Sequence, residues 1–239
     1  MNFQDPRSKI QNPSVPRHIG FIMDGNRRWA KERGLPPFKG HEAGVDALER
    51  VADACFDQGV EFMSAYTFST ENWSRTQEEV SFLMGLVTKV LTQYLRKFHD
   101  KGIRIVVLGT RERLLKSVIR AIDDAEEKTK DNQRGTLALC FNYGGHQELI
   151  DMFSAMSVKG VDPATLTPAN LMNYVYHPEV PSCDLIVRTS GEHRISGFML
   201  PRSDYAELIF DDIYWPDIET KHVEGYIKEF SDRSRRFGK

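Results

Sequence analysis

Short apolar runs alternate with longer amphipathic segments along this chain, and each apolar run ends in a polar loop. A short apolar run bounded by turn residues is typical of a buried strand, and helical spacing of apolar residues between such runs predicts connecting helices. This alternation favours one α/β domain with a central, mostly parallel six-stranded sheet flanked by helices. The predicted strands are 18–23, 62–68, 103–108, 136–141, 185–187 and 208–210.

The segments between the strands carry apolar residues on one helical face. Segment 41–58, for example, has Val45, Leu48 and Val51 at helical spacing. The stretch 163–181 is rich in proline and predicts a short helical connection. The predicted helices are 27–33, 41–58, 78–99, 111–130, 145–158 and 221–235.

The composition, with 40% hydrophobic and 28% charged residues, is that of a water-soluble globular protein. The formal net charge of -2 does not favour nucleic acid as a partner. Cys55, Cys140 and Cys183 lie far apart without metal-ligand spacing, which predicts reduced, mostly buried thiols and a cytoplasmic protein. Residues 1–17 read as a flexible arm without a secretory signal, and no apolar run is long enough to span a membrane. A lipid-like substrate or product would be met from the aqueous side, with at most peripheral contact to a membrane.

Polar segments follow four of the predicted strands. Because ligands of parallel sheets bind beyond the carboxyl ends of the strands, we expect these segments to meet at one rim. They are 24–28, 69–75, 142–146 and 188–196.

Segment 24–28 combines a carboxylate, backbone amides and two guanidinium groups. Asp24 and Gly25 follow the first strand, and Arg27 and Arg28 open a helix. Free N–H groups at a helix start and bidentate arginine contacts both favour phosphate, and a carboxylate such as Asp24 can share Mg²⁺ with phosphate oxygens. The alternative is an Asp-Gly turn with solvated arginines.

Segment 188–196 carries a second set of anion-binding residue types. Arg188 and Arg194 lie six residues apart, with hydroxyl and glycine residues between them. Such a loop can surround an anion with side chains and backbone amides, although a charged surface loop explains the pattern equally well. Two anion sites in one chain would indicate two phosphorylated substrates.

Three further features become candidates for a role at these anion sites: Asn72, His41 and the helix 78–99. Asn72 is a candidate hydrogen-bond relay, whereas its neighbour Trp73 is more simply explained as a core residue. His41 begins a helix and would be a cap or surface group without the surrounding anion sites. The apolar helix 78–99 is either ordinary core or one wall of an apolar tunnel.

Several common catalytic motifs are missing from the sequence. It has no G-x-x-x-x-G-K-[ST] phosphate loop, no G-x-G-x-x-G fingerprint, no H-E-x-x-H and no G-x-S-x-G. The D-D-x-x-D motif of trans-type prenyltransferases is also missing, since Asp123-Asp124 and Asp211-Asp212 have no acidic partner at that spacing.

Taken together, the motifs resemble those of the cis-prenyltransferases, of which undecaprenyl diphosphate synthase is the best-known type. The resemblance extends from His18 to Gly238 and implies that 18–239 is a catalytic domain. The motifs, in order, are HIGFIMDGNRRWAKERGLP, GHEAG, AYTFSTENWSR, EEVSFLM, NYGG, DLIVRTSGEHRIS, YAELIF, WPD and RRFG.

The resemblance implies a homodimer with an apolar tunnel between the sheet and two long helices, and it assigns residue roles. Asp24 and Asn72 would be catalytic, Asn72 by assisting proton removal, and Asp24 would bind Mg²⁺ with Glu207 from across the dimer. The allylic prenyl diphosphate would contact Gly25, Asn26, Arg27, Arg28 and His41. The isopentenyl diphosphate would contact Arg188, Arg194 and Ser196. Further substrate-binding positions would be Trp29, Ser69, Glu71, Trp73 and Arg75, with Arg236 and Gly238 completing the partner subunit's site.

The sequence departs from the family pattern at a few positions. Pro37 and His146 stand where arginine is usual, and Lys39 or Arg202 would be available to restore a lost charge. Gly197 replaces asparagine and Pro201-Arg202 replaces Trp-Gln, just past the isopentenyl diphosphate loop. Two alternatives follow: a divergent enzyme that joins two allylic diphosphates into a short or branched product, and a non-catalytic subunit. Thr67, where long-chain members carry alanine, indicates a shorter product.

Overall fold

Six parallel strands form the central sheet, in the spatial order β3-β4-β2-β1-β5-β6. The computed structural model describes residues 14–233. The strands are β1 (His18–Ile22), β2 (Phe62–Ser69), β3 (Ile103–Leu108), β4 (Gly135–Tyr143), β5 (Leu185–Arg188) and β6 (Glu207–Phe210). All five pairings are parallel. The predicted α/β class and six-stranded sheet are therefore confirmed.

Helices connect the strands and cover both faces of the sheet. The order is α1 (Asn26–Glu32), α2 (Pro37–Asp57), α3 (Gln77–Lys89), α4 (Leu95–Asp100), α5 (Lys116–Thr129), α6 (Gly145–Val158), α7 (Pro168–Leu171) and α8 (Thr220–Asp232). The helix predicted over 78–99 is instead α3 and α4, joined by a π-helical turn, Val90–Tyr94. None of the described helices is both long and apolar enough to cross a membrane.

The helix predicted from residue 111 begins only at Lys116. The Arg111 guanidinium donates to the carbonyls of Val107 and Gly109 at the end of β3. Arg113 adopts a left-handed conformation with φ 63. These local contacts hold 111–115 as a loop, because a left-handed residue cannot continue an α-helix.

The period-2 alternation of the strands supplies two apolar layers. On β4, Leu139 belongs to the larger core beneath α2, α3, α5 and α8, whereas Cys140 belongs to a smaller cluster on the other face with Phe198 and Met199. All three cysteines are buried and form no disulfide. The helices on the larger face leave a space beside the carboxyl ends of β1 and β2.

Candidate active site

A cavity of about 370 Å³ lies beyond the carboxyl ends of β1 and β2, against α2 and α3. Its polar lining comes from two of the predicted segments and from His41: Asp24, Gly25, Asn26, Arg27, Arg28, His41, Asn72 and Arg75. Its apolar lining comes mainly from α2, α3 and the π-helical turn: Val45, Leu48, Leu83, Leu86, Val87 and Val90. A charged rim and an apolar wall thus belong to one cavity, which suits a molecule with an anionic head and a hydrocarbon tail.

Asp24 is fixed at the cavity by both of its carboxylate oxygens. One oxygen accepts a hydrogen bond from the Arg188 guanidinium at 2.9 Å, and the other accepts the Gly25 N–H at 2.9 Å. Gly25 has φ 100, and a Cβ there would lie 2.7 Å from Tyr214 and 2.9 Å from Ser190. Only glycine fits this turn without strain, so the sequence Asp-Gly sets the direction of the carboxylate.

Helix α1 lies unusually close to α2, and two glycines make this possible. A Cβ on Gly40 would lie 1.9 Å from the Asn26 carbonyl oxygen, and one on Gly44 would lie 2.5 Å from the Asn26 side-chain oxygen. The Asn26 amide donates to the Met23 carbonyl at 3.0 Å. Gly40 and Gly44 thus permit the close approach of the two helices.

His41 faces the cavity as a neutral imidazole at physiological pH. Burial, together with the positive charge of Arg75, lowers the pKa of His41 to about 4. A neutral imidazole can donate one hydrogen bond and accept one.

Four buried side-chain atoms of the predicted segments have no hydrogen-bond partner within the described part of the chain. They are Oδ1 of Asn26, Nε2 of His41, Nε of Arg188 and Oγ of Ser190. A buried polar atom without a partner destabilises the fold unless water or a ligand completes it. Nε of Arg188 is a donor, and Nε2 of His41 and Oγ of Ser190 can each donate, so these three atoms suit an oxygen-rich anion. Oδ1 of Asn26 is an acceptor and would need a donor instead.

Arg188 joins the first predicted segment to the second. Its buried guanidinium donates to Asp24, to the Arg194 carbonyl at 2.6 Å and to the Ser196 hydroxyl at 2.9 Å. We call residues 189–202 the β5 loop. Arg28 contacts this loop as well, donating to the Ser190 carbonyl at 3.0 Å. Segments 24–28 and 188–196 are therefore in contact, as predicted, although Arg188, Arg194 and Ser196 do not line the cavity within the described residues.

Two glutamates that sequence reasoning missed neutralise the remaining arginines. Glu79 pairs with Arg75 at 2.7 Å and Arg27 at 3.5 Å. Glu192 pairs with Arg194 at 2.6 Å and Arg28 at 3.5 Å. The i,i+4 spacing of Arg75 and Glu79 could have predicted their ion pair from the sequence. The Glu192–Arg28 pair could not be predicted in this way, because it joins segments that are distant in the sequence.

Several predicted substrate-binding residues lie outside the cavity lining within residues 14–233. The Trp29 indole donates to Asp217 at 2.6 Å, and the Trp73 indole donates to Asn142 at 2.7 Å while packing edge-on against Phe68. Glu71 is exposed, and Ser69 and Asn72 form a capping box in which Asn72 accepts the Ser69 N–H at 3.0 Å. Asn72 nevertheless lines the cavity.

Glu207 is not part of this cavity. Glu207 begins β6, at the opposite end of the sheet from Asp24, and pairs with Arg233 at 2.9 Å. Within one subunit, Glu207 therefore does not meet Asp24. Arg236 and Gly238 lie outside the described residues.

The expected replacement charges, Lys39 and Arg202, are both engaged elsewhere. Arg202 is fully buried against Glu148 at 2.6 Å, and Lys39 pairs with Glu42 at 2.8 Å. Within the described residues neither lines the cavity, so neither restores a charge there.

Trp215 does line the cavity, and its indole donates to the Gly44 carbonyl at 2.8 Å.

A metal ion at this cavity would need ligands in addition to Asp24. Residues 14–233 contain no group of three or more His, Cys, Asp or Glu side chains placed to hold a metal. Asp24 is the only carboxylate that lines the cavity in this part of the chain. One carboxylate supplemented by phosphate oxygens is a common arrangement for Mg²⁺ in phosphate-binding enzymes, so the residues fit a metal bound together with substrate.

Comparison with known proteins identifies the family. Residues 22–238 match the family model described as "Putative undecaprenyl diphosphate synthase". The chain is 43% identical to a trans,polycis-polyprenyl diphosphate synthase ((2Z,6E)-farnesyl diphosphate specific) of Thermobifida fusca, over 94% of this chain and 81% of that protein. It is 40% identical to an isoprenyl transferase of Neisseria meningitidis, over 96% of this chain and 92% of that protein.

Solved structures agree with this result. Lavandulyl diphosphate synthase from Lavandula x intermedia, in complex with dimethylallyl diphosphate, superposes with a TM-score of 0.89 at 26% identity, covering 95% of this chain and all (100%) of that one. A probable undecaprenyl diphosphate synthase from Campylobacter jejuni gives 0.81 at 29% identity, covering 94% of this chain and 99% of that one. The chain therefore belongs to the undecaprenyl diphosphate synthase family of cis-prenyltransferases, enzymes that transfer prenyl groups.

Proposed function

We propose that this enzyme condenses isopentenyl diphosphate with an allylic prenyl diphosphate of the geranyl or farnesyl type, forming a cis-polyprenyl diphosphate and releasing diphosphate. The observation that carries this proposal is the single cavity that combines an arginine-rich rim with an apolar wall. The unpartnered atoms of His41, Arg188 and Ser190, which can each donate a hydrogen bond, support the binding of anionic groups.

The segment 24–28 with His41 would bind the allylic diphosphate. Arg27 and Arg28 line the cavity and would exchange their glutamate partners for phosphate oxygens. As the bond to the allylic carbon breaks, negative charge grows on the leaving diphosphate, and fixed guanidinium groups stabilise it. Mg²⁺, held by Asp24 together with phosphate oxygens, would add positive charge to the same leaving group.

The β5 loop would bind the isopentenyl diphosphate through Arg194 and Ser196. The unpartnered Nε of Arg188, the residue just before the loop, would contact the same diphosphate. Asn72 would assist removal of the proton that is lost after the new bond forms. Its side-chain oxygen is held by the Ser69 N–H, which fixes the orientation of the amide at the cavity. The apolar residues of α2 and α3 would exclude water from the developing cation.

The apolar wall would be the start of a tunnel for the growing chain. Thr67 lines the cavity, and its hydroxyl donates to the Cys140 carbonyl at 2.9 Å. This bond fixes a side chain larger than alanine in the wall. We therefore infer a short product rather than a long polyprenyl chain.

A homodimer would bring Glu207, Arg236 and Gly238 to the partner subunit's site. Exposed apolar side chains on α6 and at β6 support an interface there: Ile150, Phe153, Tyr205 and Leu208. Strand β6 is an edge of the sheet, and an edge strand with apolar neighbours is normally covered.

The second candidate is the condensation of two allylic diphosphates into a branched product. It is favoured by the departures at Gly197 and Pro201-Arg202, and by the similarity to lavandulyl diphosphate synthase in complex with dimethylallyl diphosphate. A non-catalytic subunit is disfavoured, because Asp24 and the rim arginines are assembled at one cavity.

Incubation with Mg²⁺, labelled isopentenyl diphosphate and geranyl or farnesyl diphosphate decides between these candidates. We expect labelled product, whose mass after dephosphorylation gives the chain length. Product formed from dimethylallyl diphosphate alone, together with no incorporation of label, would establish the branched reaction instead. No product under either condition would support the non-catalytic subunit.

A further inference from the structure

A buried ion pair lies on the face of the sheet away from the cavity. Glu148, in the first turn of α6, and Arg202, at the end of the β5 loop, are both fully buried and 2.6 Å apart. Glu148 also accepts the Tyr143 hydroxyl at 2.5 Å and the Tyr176 N–H at 3.0 Å. Arg202 also donates to the carbonyls of Val180, at 3.3 Å, and Tyr176.

Stability alone does not explain such a pair. Removing two charges from water costs free energy that their attraction barely offsets, and well-packed apolar residues are often at least as stabilising. The pair, however, is directional, since the planar guanidinium must meet Glu148 and two carbonyls at once. It therefore fixes where the end of the β5 loop lies.

The β5 loop needs contacts that hold its shape, because several of its residues have backbone φ angles that are positive. Ser190, Ser196 and Met199 have φ values of 81, 50 and 50, and Gly191 and Gly197 have 72 and 73. Non-glycine residues with positive φ are strained and persist only where surrounding contacts hold them. A loop with three such residues has little intrinsic preference for its observed shape.

Contacts at both ends hold this shape. At the start, the guanidinium of Arg188, the residue before the loop, donates to the Arg194 carbonyl and to the Ser196 hydroxyl. At the end, a Cβ on Gly145 would lie 2.4 Å from the Gly197 oxygen and 2.5 Å from the Leu200 Cβ, so the first turn of α6 presses directly on the loop. Glu148 lies in that same turn and holds Arg202.

We propose that Glu148 and Arg202 are positioning residues, which hold the β5 loop in the shape that binds the second diphosphate substrate. This inference rests on the proposed function of the loop. Within the described chain, neither residue lines the cavity. Their effect passes through the backbone of 195–202 to Ser196 and Arg194.

The test uses the double variant E148Q/R202Q in the full-length enzyme. It removes both charges together, so that no uncompensated charge stays buried, and both amides still form hydrogen bonds. We expect the KM for isopentenyl diphosphate to rise roughly tenfold, because small misplacements of binding groups are costly. The KM for the allylic diphosphate should stay within about twofold.

Hydrogen exchange gives a second readout that needs no turnover. In the double variant, amides of 195–202 should exchange faster, whereas those of 24–33 should not. T129V is the matched control, because Thr129 is buried on α5, away from the loop, and accepts the Ile105 N–H at 2.9 Å. It lowers stability without touching the β5 loop.

Equal changes in both KM values, unchanged KM values, or unchanged exchange of 195–202 would overturn the proposal. If E148Q/R202Q does not fold, R202K replaces it, since one ammonium can meet Glu148 but not both carbonyls, and a smaller selective rise is expected. If the wild-type enzyme does not use isopentenyl diphosphate, the proposed function fails, and the exchange experiment still decides whether the pair holds the loop.

Discussion

The two regions proposed to bind diphosphate, segment 24–28 and the β5 loop, are built in opposite ways. Segment 24–28 is short and contiguous, and its shape follows from Gly25 and from the packing of Asn26 against the glycines of α2. The β5 loop is longer, carries five positive-φ residues and depends on Arg188 and Arg202 for its shape. A site can thus combine one region determined by local sequence with another determined by distant contacts.

The largest expected effect is that of replacing Asp24, which belongs to segment 24–28 and accepts a hydrogen bond from Arg188, next to the β5 loop. Asp24→Ala removes the carboxylate that Arg188 contacts and the proposed protein ligand of Mg²⁺. We expect kcat to fall by about 10³-fold or more, as when a group that stabilises transition-state charge is removed. Steady-state turnover with saturating Mg²⁺ measures this, and Asp24→Asn, which keeps the shape but not the charge, separates the two contributions. Full turnover in Asp24→Ala would refute the proposed mechanism.

The glycine packing of the first region gives the next prediction. Gly40→Ala would place a Cβ 1.9 Å from the Asn26 oxygen, a backbone atom that cannot move alone. We expect a loss of about 3 kcal/mol in the free energy of unfolding, together with weaker binding of the allylic diphosphate. Urea denaturation measures the former.

Gly85→Ala on α3 is the control, because a Cβ there has no heavy atom within 4 Å. This change should stabilise the protein by about 0.5–1 kcal/mol through helix propensity. If both alanine variants behaved alike, the close packing of α1 on α2 would not be what shapes the first region.

The pH dependence of stability tests the burial of His41. Its pKa is lowered to about 4 in the folded protein, from an ordinary 6.5. As the pH falls, the unfolded chain therefore takes up a proton on this histidine at a higher pH than the folded chain does. The contribution of neutral His41 to the free energy of unfolding is complete above pH 6.5 and is lost as the pH falls towards 4. Over that window we expect His41 to cost about 2 kcal/mol of unfolding free energy.

The difference between wild type and His41→Gln isolates this contribution from that of His18, whose pKa burial also lowers to about 4. Unfolding free energies should fall less steeply with decreasing pH in the variant. Parallel curves for the two proteins would show that His41 is solvated and does not face a closed cavity.

The same contrast explains what the sequence could reveal. The α/β class and the strands follow from local patterns of apolar residues, glycine and charge, and these predictions are confirmed. The anion-binding role of segment 24–28 was inferred from the same kind of local pattern and stays a prediction. Arg202 was misjudged, because its burial depends on Glu148, a partner 54 residues away. The start of α5 was misplaced for a similar reason, since Arg111 bonds to carbonyls of β3 instead of continuing a helix.

The central claim is that the two regions bind different diphosphates. The most direct measurement is a comparison of the two KM values in Arg28→Gln and Arg194→Gln, two arginines that share Glu192 as their partner. Arg28→Gln should raise the KM for the allylic diphosphate roughly tenfold, and Arg194→Gln should do the same for isopentenyl diphosphate, each leaving the other value nearly unchanged. If both variants raised the same KM, the two regions would form one binding site and the account would be wrong.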